Sequence, residues 1–256
     1  MSANVAIVTG ASQGIGRSTA IRLARDFDSI VLVARNRENL AQTAADVAKA
    51  GATPLALDVD LSRPDAAGKV VEQTLAKFGR IDALLNIAGA VPQIDILEMT
   101  DEQWDNGLAL KLHGARRLTI AAWPALKASS GSVVLMSGNS ALFPKAPYAA
   151  VGTINAAIVA LAKAFSDRGI ADGVQVNSVL PGAVMTGRRK SYLEHWAPLH
   201  NMSVEEATAK FPAEAGIARY GTPEEIAGLM AFIVSPAARW MTGSTLRMDG
   251  GEVKSV

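Results

Sequence analysis

The 256-residue chain has no cysteine, only three histidines, few aromatic residues (5%) and almost no charge imbalance, with a formal net charge of +1. Without cysteine, disulfides and thiolate metal sites are excluded, and His195 and His200 have no third ligand at metal-like spacing, so no metal is expected. Lys and Arg are scattered among Asp and Glu, which leaves no basic stripe for nucleic acid or an anionic membrane surface. Nothing near Met1 resembles a charged, apolar, cleavable leader, so a cytoplasmic protein is expected. Long apolar runs are missing too. Residues 146–162 are uncharged, but they contain Pro147, Gly152 and Asn155 and fall short of the about 20 apolar residues a bilayer span needs, so they read as a buried helix. No repeat, low-complexity tract or linker divides the chain, and one domain covering residues 1–256 is expected.

What is present is a regular alternation. An apolar run, Val5-Ala6-Ile7-Val8, leads into Thr9-Gly10-Ala11-Ser12-Gln13-Gly14-Ile15-Gly16, and residues 17–27 follow with apolar positions at helical spacing. Further strands are predicted at residues 29–34, 52–59, 81–87, 132–137, 174–180 and 244–248. Helices are predicted at 37–50, 64–78, 102–126, 149–167 and 223–234. Thr100 and Gln103 form a capping-box pattern at the start of the 102–126 helix. Strands alternating with helices imply an α/β fold of three layers, a doubly wound parallel sheet of Rossmann type. Residues 186–220 break the alternation as a long polar segment carrying His195, Trp196, His200 and Phe211, and read as a lid over a substrate.

The strand, glycine turn and helix at the N-terminus are a phosphate-binding layout. Gly10 suits the tight turn, Gly14 lets backbone approach a pyrophosphate, Gly16 lets helix and strand pack closely, and free helix amides attract anionic oxygens. An acid at the end of the second strand would bind the ribose hydroxyl of NAD, but that end reads Ala34-Arg35-Asn36-Arg37. Arg35 can instead hold a 2′-phosphate, with Ser12 or Arg17 as helpers, so NADP(H) is the expected cofactor; Arg35 solvating a loop is the competing reading. Asp58-Val59, at the end of the third strand, is placed to border the adenine.

Together, Thr9-Gly10-x-x-x-Gly14-Ile15-Gly16, Asp58-Val59, Asn86-x-Ala88-Gly89, Val176-Asn177-x-Val179-x-Pro181-Gly182 and Thr242-Gly243-x-Thr245-Leu246-x-x-Asp249-Gly250-Gly251 resemble the short-chain dehydrogenase/reductase family over nearly the whole chain. The resemblance implies a nicotinamide cofactor across the carboxyl ends of the strands, with the loop from Pro181 to Thr186 near the nicotinamide. It also implies a homotetramer or homodimer built on the two long helices, and a small carbonyl or alcohol as substrate.

Carbonyl-reducing members use an Asn, a Ser and a Tyr-x-x-x-Lys group, in which the lysine lowers the tyrosine pKa from about 10. Register carried back from Val176-Asn177 puts Asn155 at the family's lysine and Val151 at its tyrosine. Gly138 falls at the acting serine, and Lys111 at the asparagine. The sequence thus predicts a non-standard catalytic set, with Ser137, Tyr148 and Lys111 as candidates and Ser140 as a second possible hydroxyl. Asn155 would then lie at the cofactor. Tyr148 reads alternatively as a packed aromatic, and Lys111 as a helix-packing or ion-paired residue. Two functions stay open beside the oxidoreductase: a cofactor-binding sensor or partner subunit without chemistry, and a lyase or isomerase using Lys111 as base.

Overall fold

The computed structural model describes residues 4–255. Seven parallel strands form one sheet in the order β3-β2-β1-β4-β5-β6-β7: β1 (Val5–Thr9), β2 (Ser29–Ala34), β3 (Thr53–Asp58), β4 (Ala83–Asn86), β5 (Ser132–Met136), β6 (Gln175–Pro181) and β7 (Thr245–Met248). The fold is the expected doubly wound one. Alternation along β1 shows how the sequence builds it: Val5 and Ile7 pack into the core on one face, Ala6 and Val8 into the core on the other, and all four are fully buried. One face is covered by α3 (Ala66–Phe78), α5 (Ala115–Ser129) and α6 (Ala149–Asp172), the other by α1 (Gly14–Leu23), α2 (Arg37–Lys49) and α9 (Pro223–Ile233). The strand order reverses between β1 and β4, and at such a switch point the carboxyl ends of the strands leave a crevice.

Polar ties hold the far edge. Asn177, fully buried in β6, donates from Nδ2 to the Met241 carbonyl (2.7 Å) and accepts at Oδ1 from the Ser244 amide (3.0 Å), so it leads the chain into β7. Asp172 accepts from Trp123 Nε1 (2.8 Å) and Lys127 Nζ (2.7 Å) on α5 and from Arg168 on α6. Those partners, Lys127 first, hold its carboxyl down at about 2. The stretch Ala146–Asp172 is the one helical segment, among the described residues, long and apolar enough to cross a membrane; here it packs along β5 and β6.

The structure differs from the sequence reading in two places. The helix expected over residues 102–126 is a short α4 (Asp101–Gly107), a π-helical segment (Leu108–Gly114) and then α5, which continues past Pro124 to Ser129. The π-helical segment is only 7 residues long, too short for its wider i→i+5 period to stand out from the apolar spacing. The lid region is not irregular. It folds into α7 (Gly187–Leu199) and α8 (Val204–Ala215), which pack together through Leu193, Ala197 and Ala207. Pro198 and Pro212 inside these helices, and their charged outer faces, hide the helical period.

Candidate active site

The crevice at the switch point is a groove of about 660 Å³. Its floor is the turn after β1. Gly10 (φ +67°) and Gly14 (φ +54°) take left-handed backbone, and a Cβ on Gly16 would fall 2.2 Å from the Gly10 carbonyl, so the start of α1 rests directly on the turn. Thr9 locks the neighbouring strand: its hydroxyl accepts from the amides of Ile87 (2.8 Å) and Ala88 (2.9 Å) and donates to the Leu85 carbonyl. The N-cap of α1, Gln13, makes no side-chain cap, and no acid occupies the first turn, so the leading amides face the groove unpaired by side chains. By contrast α4, α8 and α9 each open with a capping box and acidic residues.

Gly10, Ser12, Gln13, Gly14, Ile15, Gly16, Arg35, Val59, Ala88, Gly89 and Thr186 all line this groove. Five expected residues do not, and two of these, Asp58 and Asn86, line neither cavity. Asp58 is exposed at the strand end, and because neighbouring residues of an extended chain point opposite ways, Val59 rather than Asp58 faces inward. Asn86 is buried and turned toward α5, donating from Nδ2 to Thr119 Oγ1 (3.1 Å). Pro181, Gly182 and Asn155 line the adjoining cavity instead. The groove gains Asn36, Asn39 and Arg188, none of which the motifs pick out; Arg188 reaches from α7 to the carbonyls of Gly89 (3.5 Å) and Val91 (3.4 Å).

The second cavity, of about 560 Å³, shares Ile15 and Met136 with the groove. Its inner wall is the end of β5 and the start of α6. Ser137, which is buried, donates its hydroxyl to the Asn155 carbonyl (2.7 Å), so that proton is committed to the fold. Gly138 has no room for a side chain: a Cβ there would lie 2.7 Å from Asn155 Nδ2. Asn155 donates from Nδ2 to Ser140 Oγ (2.8 Å), and its Oδ1 is buried without a partner. Ser140 therefore keeps its own proton to give. Tyr148, at the first turn into α6, is half-buried and lines the same wall.

Lys111 sits on the π-helical segment, behind this wall rather than in it. Its stem packs under Gly89, where a Cβ would meet Lys111 Cδ at 3.0 Å, and its Nζ donates to the Ser137 carbonyl (3.2 Å). Burial, and then the nearby Arg188, lower its pKa to about 8. The outer wall is the lid: Tyr192, Leu193 and Trp196 from α7, Ala207, Lys210 and Phe211 from α8. His195 and His200 play no part in it. Each sets Nδ1 against a backbone carbonyl four residues earlier, and His200 stacks on Trp196. One lining residue carries no sequence signal: Glu252, which accepts from Asn139 Nδ2 (2.6 Å) and the Ala183 amide (3.2 Å).

A seven-stranded parallel sheet with a glycine turn under a groove at its switch point defines a nucleotide-binding oxidoreductase scaffold of the short-chain type. The chain belongs to the short-chain dehydrogenases/reductases, since the family model described as enoyl-(acyl carrier protein) reductase matches residues 10–252. Among curated proteins it is similar to a 3-oxoacyl-(acyl-carrier-protein) reductase of Synechocystis sp., with 32% identity covering 99% of this chain and 98% of that protein. It is also similar to the short-chain reductase protein NovJ of Streptomyces niveus, with 30% identity over 97% and 93% of the two chains. Among solved structures, the L-sorbose reductase of Gluconobacter frateurii, complexed with NADPH and L-sorbose, superposes with a TM-score of 0.92 at 29% identity, covering 100% of this chain and 98% of that one.

Proposed function

We propose that this chain is an NADP(H)-dependent reductase that interconverts a small carbonyl compound and its alcohol, using an acid–base set other than the family's usual one. The observation that carries the reading is the pair of adjoining cavities: a glycine-floored groove with uncapped helix amides and Arg35 opens onto an aromatic cavity holding protic side chains. In the groove, the α1 amides and Ser12 take the pyrophosphate, and Arg35 takes the 2′-phosphate through its planar fork of donors. Ala88, Gly89, Asn155, Pro181, Gly182 and Thr186 border the nicotinamide end, and residues 186–220 close over the substrate. The NADPH bound by the sorbose reductase supports this cofactor, and relatives named as reductases weigh against a sensor without chemistry. The chain reads as one domain acting on a small molecule, as a homotetramer or homodimer.

When bound, NADPH supplies a hydride to the carbonyl carbon. The protein must then give the oxygen one proton and stabilise charge on it. Tyr148 is the proton donor in this reading, because its side chain lines the cavity. Ser140 donates a hydrogen bond to the same oxygen, oriented by Asn155 Nδ2. Ser137 and Lys111 act as positioning residues: one ties α6 to β5, the other fixes the Ser137 carbonyl with a half-buried ammonium. Val151, Gly138, Asn155 and Lys111 occupy the positions of the family's Tyr, Ser, Lys and Asn, so the proton route has shifted by one helical turn to Tyr148.

The test is NADPH oxidation against a panel of ketones, aldehydes and quinones. Turnover is expected, with Tyr148→Phe slower by about a hundredfold or more and NADPH affinity unchanged. Tight NADPH binding with every substrate silent would refute the catalytic reading.

A further inference from the structure

The lid holds a cation with no anion. Arg189, on the first turn of α7, lines the substrate cavity, and its guanidinium lies over three rings: Phe211 (5.0 Å), Tyr192 (5.6 Å) and Tyr220 (5.9 Å). Among the described residues no carboxylate comes within ion-pair distance of it and its guanidinium makes no hydrogen bond. Arg219, nearby in sequence, shows the usual alternative, being paired at 2.6 Å with Glu225. The rings supply attraction to the face of the guanidinium but leave its donor edge unfilled. Tyr220 adds a second unfilled donor: it is 8% exposed, stacks on Phe211, and its hydroxyl is buried without a partner.

We infer that the substrate carries a carboxylate, which docks on Arg189 at the lid end of the cavity while its carbonyl lies at the Tyr148 and Ser140 end. The inference rests on the reductase reading for the carbonyl, not for the anion. A guanidinium edge presents two parallel N–H donors to a carboxylate, and a half-enclosed aromatic setting keeps that pairing from being screened. The other charges on the cavity wall disfavour a second negative charge on the ligand. Lys210 is paired with Glu214 in the next helical turn (3.7 Å), and Glu252 faces the cavity with its own negative charge, so a dianionic phosphate ester would meet about twice the repulsion that a carboxylate meets. Phe143, Trp196 and Phe211 provide the apolar body of the site, so the substrate is an oxo acid with an aromatic or alicyclic skeleton.

Binding is read without turnover from the fluorescence of Trp196, as the difference between the unaltered full chain and Trp196→Phe. The probes are 3-phenylpropanoate, 3-phenylpropanamide and 2-phenylethyl phosphate, matched in skeleton. The carboxylate is expected to bind about ten- to a hundredfold more tightly than the amide, and more tightly than the phosphate ester. Arg189→Gln should erase that ratio while leaving the amide's affinity in place, and Arg189→Lys should keep part of it. Equal binding of acid and amide to the unaltered chain overturns the inference whatever the variants do, as does tighter binding of the phosphate ester. Turnover of 2-oxo-4-phenylbutanoate and its ethyl ester with NADPH is measured in parallel. If neither reacts, nor any ketone, aldehyde or quinone of the panel, but the acid probe still prefers Arg189, the reductase reading fails and the carboxylate site stands; if the ester reacts as well as the acid, the carboxylate site fails and the reductase reading stands.

Discussion

Lys111→Met separates a residue kept for function from one kept for the fold, because the two roles give stability changes of opposite sign. The lysine's folded pKa of about 8, against its ordinary 10.5, corresponds to about 3 kcal/mol of cost for holding the ammonium where it is. Methionine follows the same path under Gly89 without that charge. It loses the hydrogen bond to the Ser137 carbonyl, worth about 1 kcal/mol, so a net gain near 2 kcal/mol is expected at pH 7. For a chain of this size that raises Tm by roughly 4–8 °C. The sign follows from proton counting. Below about pH 8 both folded and unfolded lysine are protonated and the full cost is present; between about 8 and 10.5 only the unfolded state holds the proton, so the unaltered protein gains stability as pH rises. The variant's advantage should shrink across that window and turn into a deficit of about 1 kcal/mol above it, where only the lost hydrogen bond counts. Urea unfolding of both proteins at pH 7, 9 and 11, values chosen as roughly spanning the window, measures this. Reductase activity should fall in the same variant, since a destabilising charge behind the catalytic wall is kept for chemistry. A variant less stable than the unaltered protein at pH 7, with no pH dependence of the difference, would show that Lys111 is a packing tie and sink the argument.

Three further outcomes follow from other parts of the molecule. Arg35→Glu should weaken NADPH binding by about ten- to a hundredfold while leaving NADH binding within a few fold, read by titration of either reduced cofactor; equal loss for both would remove Arg35 from the 2′-phosphate. Gly16→Ala should cost at least about 1–3 kcal/mol, because its methyl would lie 2.2 Å from the Gly10 carbonyl, and NADPH affinity should fall with it; a variant of unchanged Tm contradicts the close packing of turn and helix. Asp172→Asn should lower Tm at neutral pH. Because the Asp172 carboxyl is held below its ordinary value, its stabilisation is present above pH 3.8 and lost as pH falls through about 2, so the two melting curves should converge over that interval.

The fold and the groove were legible in the sequence because each rests on a local rule. Continuous apolar runs for strands buried on both faces, glycines at fixed offsets and a capping box at Thr100 are written in neighbouring residues, and each appears in the structure. What neighbouring residues do not encode was missed. Glu252 reaches the cavity from the far end of the chain, and Arg188 bridges to Gly89 and Val91 across more than ninety positions. Ser137 shows a different failure. Its place at the end of β5 was right, but which hydroxyl keeps a free proton depends on where Asn155 points, and that is a tertiary fact. Lys111 was assigned to the site from register alone. It lines neither cavity, its stem packing under Gly89 from the π-helical segment.

Under the proposed register, Gly138 and Asn155 are one change rather than two. A Cβ at position 138 would sit 2.7 Å from Asn155 Nδ2, so the amide occupies the space a serine needs, and the hydroxyl at the cavity wall is supplied two residues later by Ser140. Gly138→Ser alone should therefore destabilise the protein by about 1–3 kcal/mol through overpacking. Asn155→Lys alone should also destabilise it, since it strands Ser140 and puts an ammonium where a buried neutral amide stood. The pair together frees the space at 138 and gives the lysine a hydroxyl to contact, so the double variant should be more stable than the sum of the singles by about 1 kcal/mol or more. Adding Val151→Tyr to the pair then rebuilds the family's arrangement beside the same groove. If the non-standard set is what now moves the proton, Tyr148→Phe should be harmless in that triple variant although it is crippling in the unaltered chain. Strict additivity of Gly138→Ser and Asn155→Lys would mean the two side chains do not compete for one space, and the register behind the proposed proton route would fall with it.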